Sequence, residues 1–132
     1  MIVATSKWCV IDTINRALQR TENVNYIGEC CLEKNYEEKF SKIILPTEPQ
    51  TKKLTHEVRF CDLDHNRHMN NTNYANLILN VMQDKPFSHF EINFVSECLL
   101  GDKIEVYLLT NFSGDYVIGK VNEKVVFIAY LK

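Results

Sequence analysis

Ten consecutive residues, Asp62-Leu63-Asp64-His65-Asn66-Arg67-His68-Met69-Asn70-Asn71, bring carboxylates, imidazoles and amides together at a density few loops reach. Attack of water on an acyl carbonyl needs that set: a base working near pH 7, a donor that polarises the carbonyl, and a group that orients the water. Ahead of a helix, such a loop also lies beside unpaired N–H groups able to hold a developing oxyanion, here at Asn70, Asn71 and Thr72. The bland reading is a polar loop whose Asp and Asn residues make turns and caps. The order of the residues, more than their composition, separates the two.

A metal is not expected. Asp62, Asp64 and Asn66 open like a calcium loop, but Arg67 stands where the turn needs glycine and Asn73 where a bidentate glutamate is required. Cys61, His65 and His68 lack a nearby fourth zinc ligand. His56 and His89 lie in or beside expected strands and read as structural. Nothing in the chain calls for a cofactor.

The elements that must position this loop show in the hydrophobic periodicity. From Leu54, the residues Leu54, His56, Val58 and Phe60 alternate with Thr55, Glu57 and Arg59, as a half-buried strand requires. Asn71 or Thr72 can cap a helix in which Tyr74, Leu77, Ile78 and Val81 fall at i, i+3, i+4 and i+7, one apolar stripe, with Pro86 beyond its end. Phe90, Ile92 and Phe94 alternate in a further strand, and Ile104, Val106 and Leu108 in another. Tyr116 to Val121 and Val125 to Leu131 complete the set, with hairpin turns at Asn111-Phe112-Ser113-Gly114 and Asn122-Glu123. The expected strands therefore start near Leu54, Phe90, Lys103, Asp115 and Lys124. One strand, one long helix and an antiparallel run of strands predict an α+β layer, the helix packed on a curved sheet.

Upstream, Ile2 to Ile11 and Ile14 to Leu18 read as short strands joined at Asp12-Thr13. Thr21 to Gln50 is polar and mixed, with a short helix expected around Leu32 to Phe40, and it ends in Pro46-Thr47-Glu48-Pro49. The expected organisation is thus strands over 1–20, a linker over 21–53 and the main domain over 54–132.

With 45% hydrophobic and 24% charged residues, 132 residues suit one soluble core. The longest apolar run, Val125 to Leu131, is far short of the ~20 residues of a membrane span. No basic segment followed by an apolar one marks the N-terminus, so the cytoplasm is the expected location. A formal charge of −2 gives no basic footprint for nucleic acid. Five cysteines form an odd set without a C-x-x-C pair, and are expected to be reduced and mostly buried.

The pattern D-L-D-x-N-x-H-x-N-N-x-x-Y over Asp62 to Tyr74 resembles the signature of the acyl-ACP thioesterases of plants and bacteria. Less closely it is similar to the H-V-N-N segment of hot-dog acyl-CoA thioesterases. Ala4-Thr5-Ser6 with Trp8, Glu97-Cys98, and Gly101-Asp102 lie at suitable places for the first group. The resemblance implies a hot-dog fold, thioester hydrolysis, and active-site roles for Asp64, Asn66 and His68, with Glu97 and Cys98 matching an acid and a cysteine each proposed there as catalytic. Met69, Leu77 and Asn80 depart from the usual valine, tryptophan and acid, which bears on substrate preference.

Two mechanisms stay open on these residues. In one, Glu97 or Asp64 is the base on water, His68 relays or positions the proton and Asn66 orients the nucleophile. In the other, Cys98, His68 and Asn66 form a nucleophilic relay through an acyl-enzyme. Adjacent strand residues face opposite ways, and Cys98 keeps phase with apolar Phe90, Ile92 and Phe94, where a thiol is inert. Glu97 is therefore preferred.

The resembling enzymes carry two hot-dog domains, with the motif in the second, so residues 1–20 read as the end of a first one. The implied partners are an acyl carrier protein bearing acyl-phosphopantetheine and a second hot-dog edge. That edge would come from a first domain or from another copy of the chain in a homodimer whose N-terminal strands pair.

Overall fold

The computed structural model describes residues 3–12, 14–15, 17–23, 28 and 42–132. They fall into two units, 1–41 and 42–132. In the first, β1 (Val10–Ile11) pairs antiparallel with β2 (Leu18–Gln19). Asp12 turns the chain between them, its Oδ1 accepting the Ile14 and Asn15 N–H groups, each at 2.8 Å. The paired strands are two residues each, much shorter than the expected Ile2 to Ile11 and Ile14 to Leu18, because only these residues find a ladder partner among those described. The expected helix at Leu32 to Phe40 lies outside the described residues.

The second unit holds β3 (Thr51–Glu57), α1 (Asn71–Met82), β4 (Phe90–Phe94), β5 (Lys103–Thr110), β6 (Asp115–Val121) and β7 (Lys124–Leu131). The strands form one antiparallel sheet in the order β3-β5-β6-β7-β4, with the helix between the two strands that end up at opposite edges. This is the hot-dog arrangement. Four of the five strand starts are as expected. The exception is β3, which opens at Thr51 rather than Leu54, so 51–53 belong to the sheet and not to a linker. A bulge between Lys52 and Leu54 breaks the alternation there, and lysines on an edge strand cost nothing in burial. Residues 42–50 are also tied to the sheet: the Ile43 N–H donates to Asn93 Oδ1 at 2.7 Å, and Asn111 Nδ2 to Glu48 Oε1 at 3.1 Å.

Turn chemistry fixes the register. Asn122 and Glu123 have φ of 48° and 65°, the left-handed pair that a two-residue hairpin demands. Between β5 and β6, Asn111 Oδ1 accepts the Ser113 and Gly114 N–H groups. Asp115, buried at the start of β6, is held by Lys85 Nζ and by Thr110 Oγ1, each at 2.6 Å.

One apolar cluster joins helix to sheet, with Tyr74, Leu77, Ile78 and Met82 from α1 meeting Ile104, Val106, Val117, Phe127 and Ala129. Each such burial contributes about 1.5–3 kcal/mol, which sets the height of the helix over the sheet and hence where its N-terminus lies. Val81, expected at the end of the stripe, is half-buried and packs against this cluster, and Met82 extends the buried face. Among the described residues no helix is long and apolar enough to cross a membrane.

Candidate active site

Past Glu57 the chain leaves the ladder. Val58 turns inward, its N–H donating to Asp102 O and its carbonyl accepting from the Gly101 N–H, both at 2.9 Å. Phe60, expected on the buried face of a continuing strand, opens a 3-10 turn (Phe60–Asp62) and is 82% exposed. The alternation ends because the strand does. Asp62 anchors the turn: its Oδ2 accepts the Arg59 N–H at 2.8 Å and lies 2.9 Å from His56 Nε2. Burial alone would raise the Asp62 pKa, but the Arg59 amide and the His56 ring together hold it below the ordinary value. Its carbonyl accepts from the Asn70 N–H at 2.8 Å and from Asn73 Nδ2 at 2.9 Å, which closes the base of the loop.

Inside that closure Leu63 and Met69 bridge antiparallel, and the Asp64 N–H donates to His68 O at 2.8 Å. Asp64 Oδ1 accepts the Asn66 N–H at 2.8 Å and the His68 N–H at 3.2 Å. Burial pushes the Asp64 pKa up, but these two amides prevail and leave it lowered. Arg67, at φ 63°, makes the tight reversal. The loop then enters α1 through Asn70, whose Oδ1 accepts from the Thr72 N–H at 3.0 Å and from Thr72 Oγ1 at 2.9 Å. The cap is therefore Asn70, one residue ahead of the expected Asn71 and two ahead of Thr72, because Asn70 still has extended backbone angles while Asn71 is already helical.

Across the loop from β4 comes the segment bearing Glu97. The strand stops at Phe94, and the N–H groups of Val95 and Ser96 both donate to Val126 O, at 2.8 and 3.1 Å. The ladder ends there, yet Cys98 is 0% exposed in the same cluster that Ile92 packs against and whose Tyr74 meets the Phe94 ring. It lies on the side its phase implied, while the Phe90 ring stays partly exposed. Glu97 Oε2 nevertheless faces His68 Nε2 at 3.3 Å, the imidazole largely buried and the carboxylate 50% exposed. The Met69 N–H donates to Cys98 O at 2.9 Å and ties the two segments together. Burial pushes the Cys98 thiol pKa up.

The structure therefore brings His68 and Glu97 together by their side chains, and joins Asp64 to His68 through the backbone N–H and carbonyl of His68. Asn66 is exposed on the same loop. At the helix entrance the Asn70 and Thr72 N–H groups already have partners. Sequence reasoning read His56 as structural, which its contact with Asp62 fits, but did not pair the two. The available signal was an inward-facing strand histidine followed by an acid just past the strand's end. Of the five cysteines expected to be mostly buried, Cys98 is buried, Cys9 and Cys61 are exposed, and Cys30 and Cys31 lie outside the described residues. Among the described residues no three His, Cys, Asp or Glu side chains converge as metal ligands.

The sequence profile of the acyl-ACP thioesterase C-terminal domain matches residues 46–127. The chain belongs to the acyl-ACP thioesterase family. Among solved structures, an acyl-ACP thioesterase from Bacteroides thetaiotaomicron superposes with a TM-score of 0.67 at 23% identity, over 92% of this chain and 51% of that one. The 12:0-ACP thioesterase from Umbellularia californica gives 0.64 at 18%, over 92% and 52%. The hypothetical protein SAV2348 from Staphylococcus aureus, solved in complex with CoA, gives 0.56 at 18%, over 63% and 77%. At these identities the likeness shows the hot-dog fold. The chain spans about half the length of the two acyl-ACP thioesterases it matches. A search of curated proteins finds no match.

Proposed function

We propose that this acyl-ACP thioesterase family member hydrolyses the acyl thioester of acyl carrier protein and releases free fatty acid, as a cytoplasmic enzyme of fatty acid biosynthesis. The observation that carries the reading is the 3.3 Å approach of Glu97 to His68 beside the entrance of α1. Glu97 takes a proton from water oriented by Asn66, and the water oxygen bonds to the thioester carbonyl carbon. The Asn71 N–H at the helix N-terminus holds the resulting oxyanion. As the C–S bond breaks, the pantetheine thiolate receives the proton through His68, which restores the carboxylate. Asp64, its carboxylate already accepting two amides, serves as the clamp of the loop rather than the base. The burial of Cys98 supports direct attack by water over an acyl-enzyme. A second hot-dog edge, from a first domain or from another copy of the chain in a homodimer, completes the working unit.

The test is thiol release from acyl-ACP and acyl-CoA over a range of acyl lengths. His68→Ala and Asn66→Ala should each lower turnover by roughly 10²-fold or more with little change in melting temperature. Turnover on CoA alone would replace the carrier. Unchanged turnover in both variants would remove this site, and a covalent Cys98 adduct formed from substrate would replace the mechanism. Light scattering that shows a stable monomer would contradict the dimer.

A further inference from the structure

Both halves of the His68–Glu97 contact are fastened to the same short stretch, the end of β3. On one side, the Val58 N–H donates to Asp102 O and the Gly101 N–H to Val58 O, each at 2.9 Å, which fixes the turn that follows Glu97 and Cys98. Within that turn Asp102 Oδ2 accepts the Leu99 N–H at 2.8 Å. On the other side, Asp62 Oδ2 accepts the Arg59 N–H at 2.8 Å and lies 2.9 Å from His56 Nε2. An ionised carboxylate only accepts, so the imidazole is the donor. His56 sits on the inward face of β3 between the exposed Thr55 and Glu57, and its side chain and that of Asp62 are 24% and 15% exposed.

The loop that Asp62 opens is stiff. Its base is closed by Asp62 O, which accepts from the Asn70 N–H and from Asn73 Nδ2. Inside it, Leu63 bridges Met69, and Asp64 Oδ1 holds the Asn66 and His68 N–H groups. A loop braced in this way moves as one piece, so the place of His68 is decided where the piece is attached. The helix α1 and the bond from the Met69 N–H to Cys98 O hold its far end. Asp62 holds its near end, with His56 as the side chain that reaches it from the sheet.

We infer that His56 is a positioning residue: through Asp62 it holds the loop so that His68 stands within reach of Glu97. The inference rests on the reading of His68 and Glu97 as the proton-transfer pair. A displacement of about 1 Å at a reacting group can cost 10²-fold in rate, and a rigid loop passes a shift at its base on to His68.

His56→Gln and His56→Leu, compared in the full chain, test this. The glutamine amide N–H can still reach Asp62, whereas leucine fills the space and donates nothing. In His56→Leu kcat should fall about tenfold or more with KM little changed, because proton transfer rather than acyl binding depends on the approach of His68 to Glu97. The His68 ring resonances should move towards those of Glu97→Gln, and His56→Gln should recover most of the parental kcat and resonances. A lower melting temperature in His56→Leu, with kcat and the His68 resonances of the folded protein as in the parent, would overturn the inference. So would equal losses in the two variants. Should His56→Leu not fold, Asp62→Asn keeps the shape and withdraws one acceptor, and the same shift or constancy of kcat and resonances decides. If the resonances move while Glu97→Gln stays fully active, the positioning role stands and the assignment of Glu97 as base falls.

Discussion

Gly119 of β6 pairs with Phe127 of β7, and the fully buried Phe127 ring lies directly over it, so that a Cβ at position 119 would fall within the ring. Gly119→Ala must drive Phe127 sideways, into the ring of Tyr74 that it meets edge-on at 5.4 Å. Forcing one carbon into a packed core costs about 1–3 kcal/mol. The gain from replacing a strand glycine by alanine offsets about 0.5–1 kcal/mol. The net loss of up to about 2.5 kcal/mol corresponds, for a unit of this size, to a melting temperature lower by up to about 10–20 °C. Phe127→Leu alone should also destabilise, by emptying the same volume. The double variant should lose less than the sum of the two by about 1 kcal/mol, because the smaller leucine makes room for the new methyl. Urea unfolding of the four proteins at pH 7 measures this coupling. Additivity within about 0.3–0.5 kcal/mol would show that the ring does not block position 119, and would refute the packing argument.

Loss of the Asn70 cap in Asn70→Ala should cost about 1 kcal/mol in urea unfolding, since both Thr72 bonds go with it. Glu123, a non-glycine residue at φ 65°, should tolerate glycine with a gain of about 0.5 kcal/mol, and a loss there would argue against the left-handed turn. Asp62 and Asp64 both titrate below the ordinary carboxylate value of 3.8. A depressed folded pKa contributes stability that is complete above the unfolded value and is lost as pH falls through the folded one, so urea midpoints should hold from neutrality to about pH 4 and decline below it. Midpoints constant down to about pH 2.5 would show that neither clamp matters.

The sheet was legible where periodicity and turn chemistry agreed. Asn122-Glu123 and Asn111 to Gly114 named both hairpins, and β5, β6 and β7 start where the alternation starts. It misled where the ladder is irregular. The bulge beside Lys53 hid the opening of β3, and Phe60 kept an alternating rhythm after the strand had ended. Past Phe94 two amides crowd onto Val126 O and the ladder ends, yet Cys98 still lies in the core that Ile92 packs against, as its phase implied. At the site, the order of residues pointed to His68 and Glu97, and the fold brings them together. It could not show that Asp64 spends its carboxylate on loop amides, because that depends on the backbone reversal at Arg67. Nor could it show the tether from Met69 to Cys98, whose partners are far apart in the chain.

The contrast between Cys98 and Cys61 makes the domain its own clock. A thiol reagent reaches the exposed Cys61 in the folded state but reaches Cys98 only when the segment beside Glu97 swings away from the loop and helix. With reclosing faster than labelling, the ratio of the two modification rates reports the population of that open form, each tenfold of protection being about 1.4 kcal/mol of opening free energy. The breathing of the segment that carries the proposed base can then be followed over time and with temperature, one residue away, through cysteines the chain already has and without any substitution.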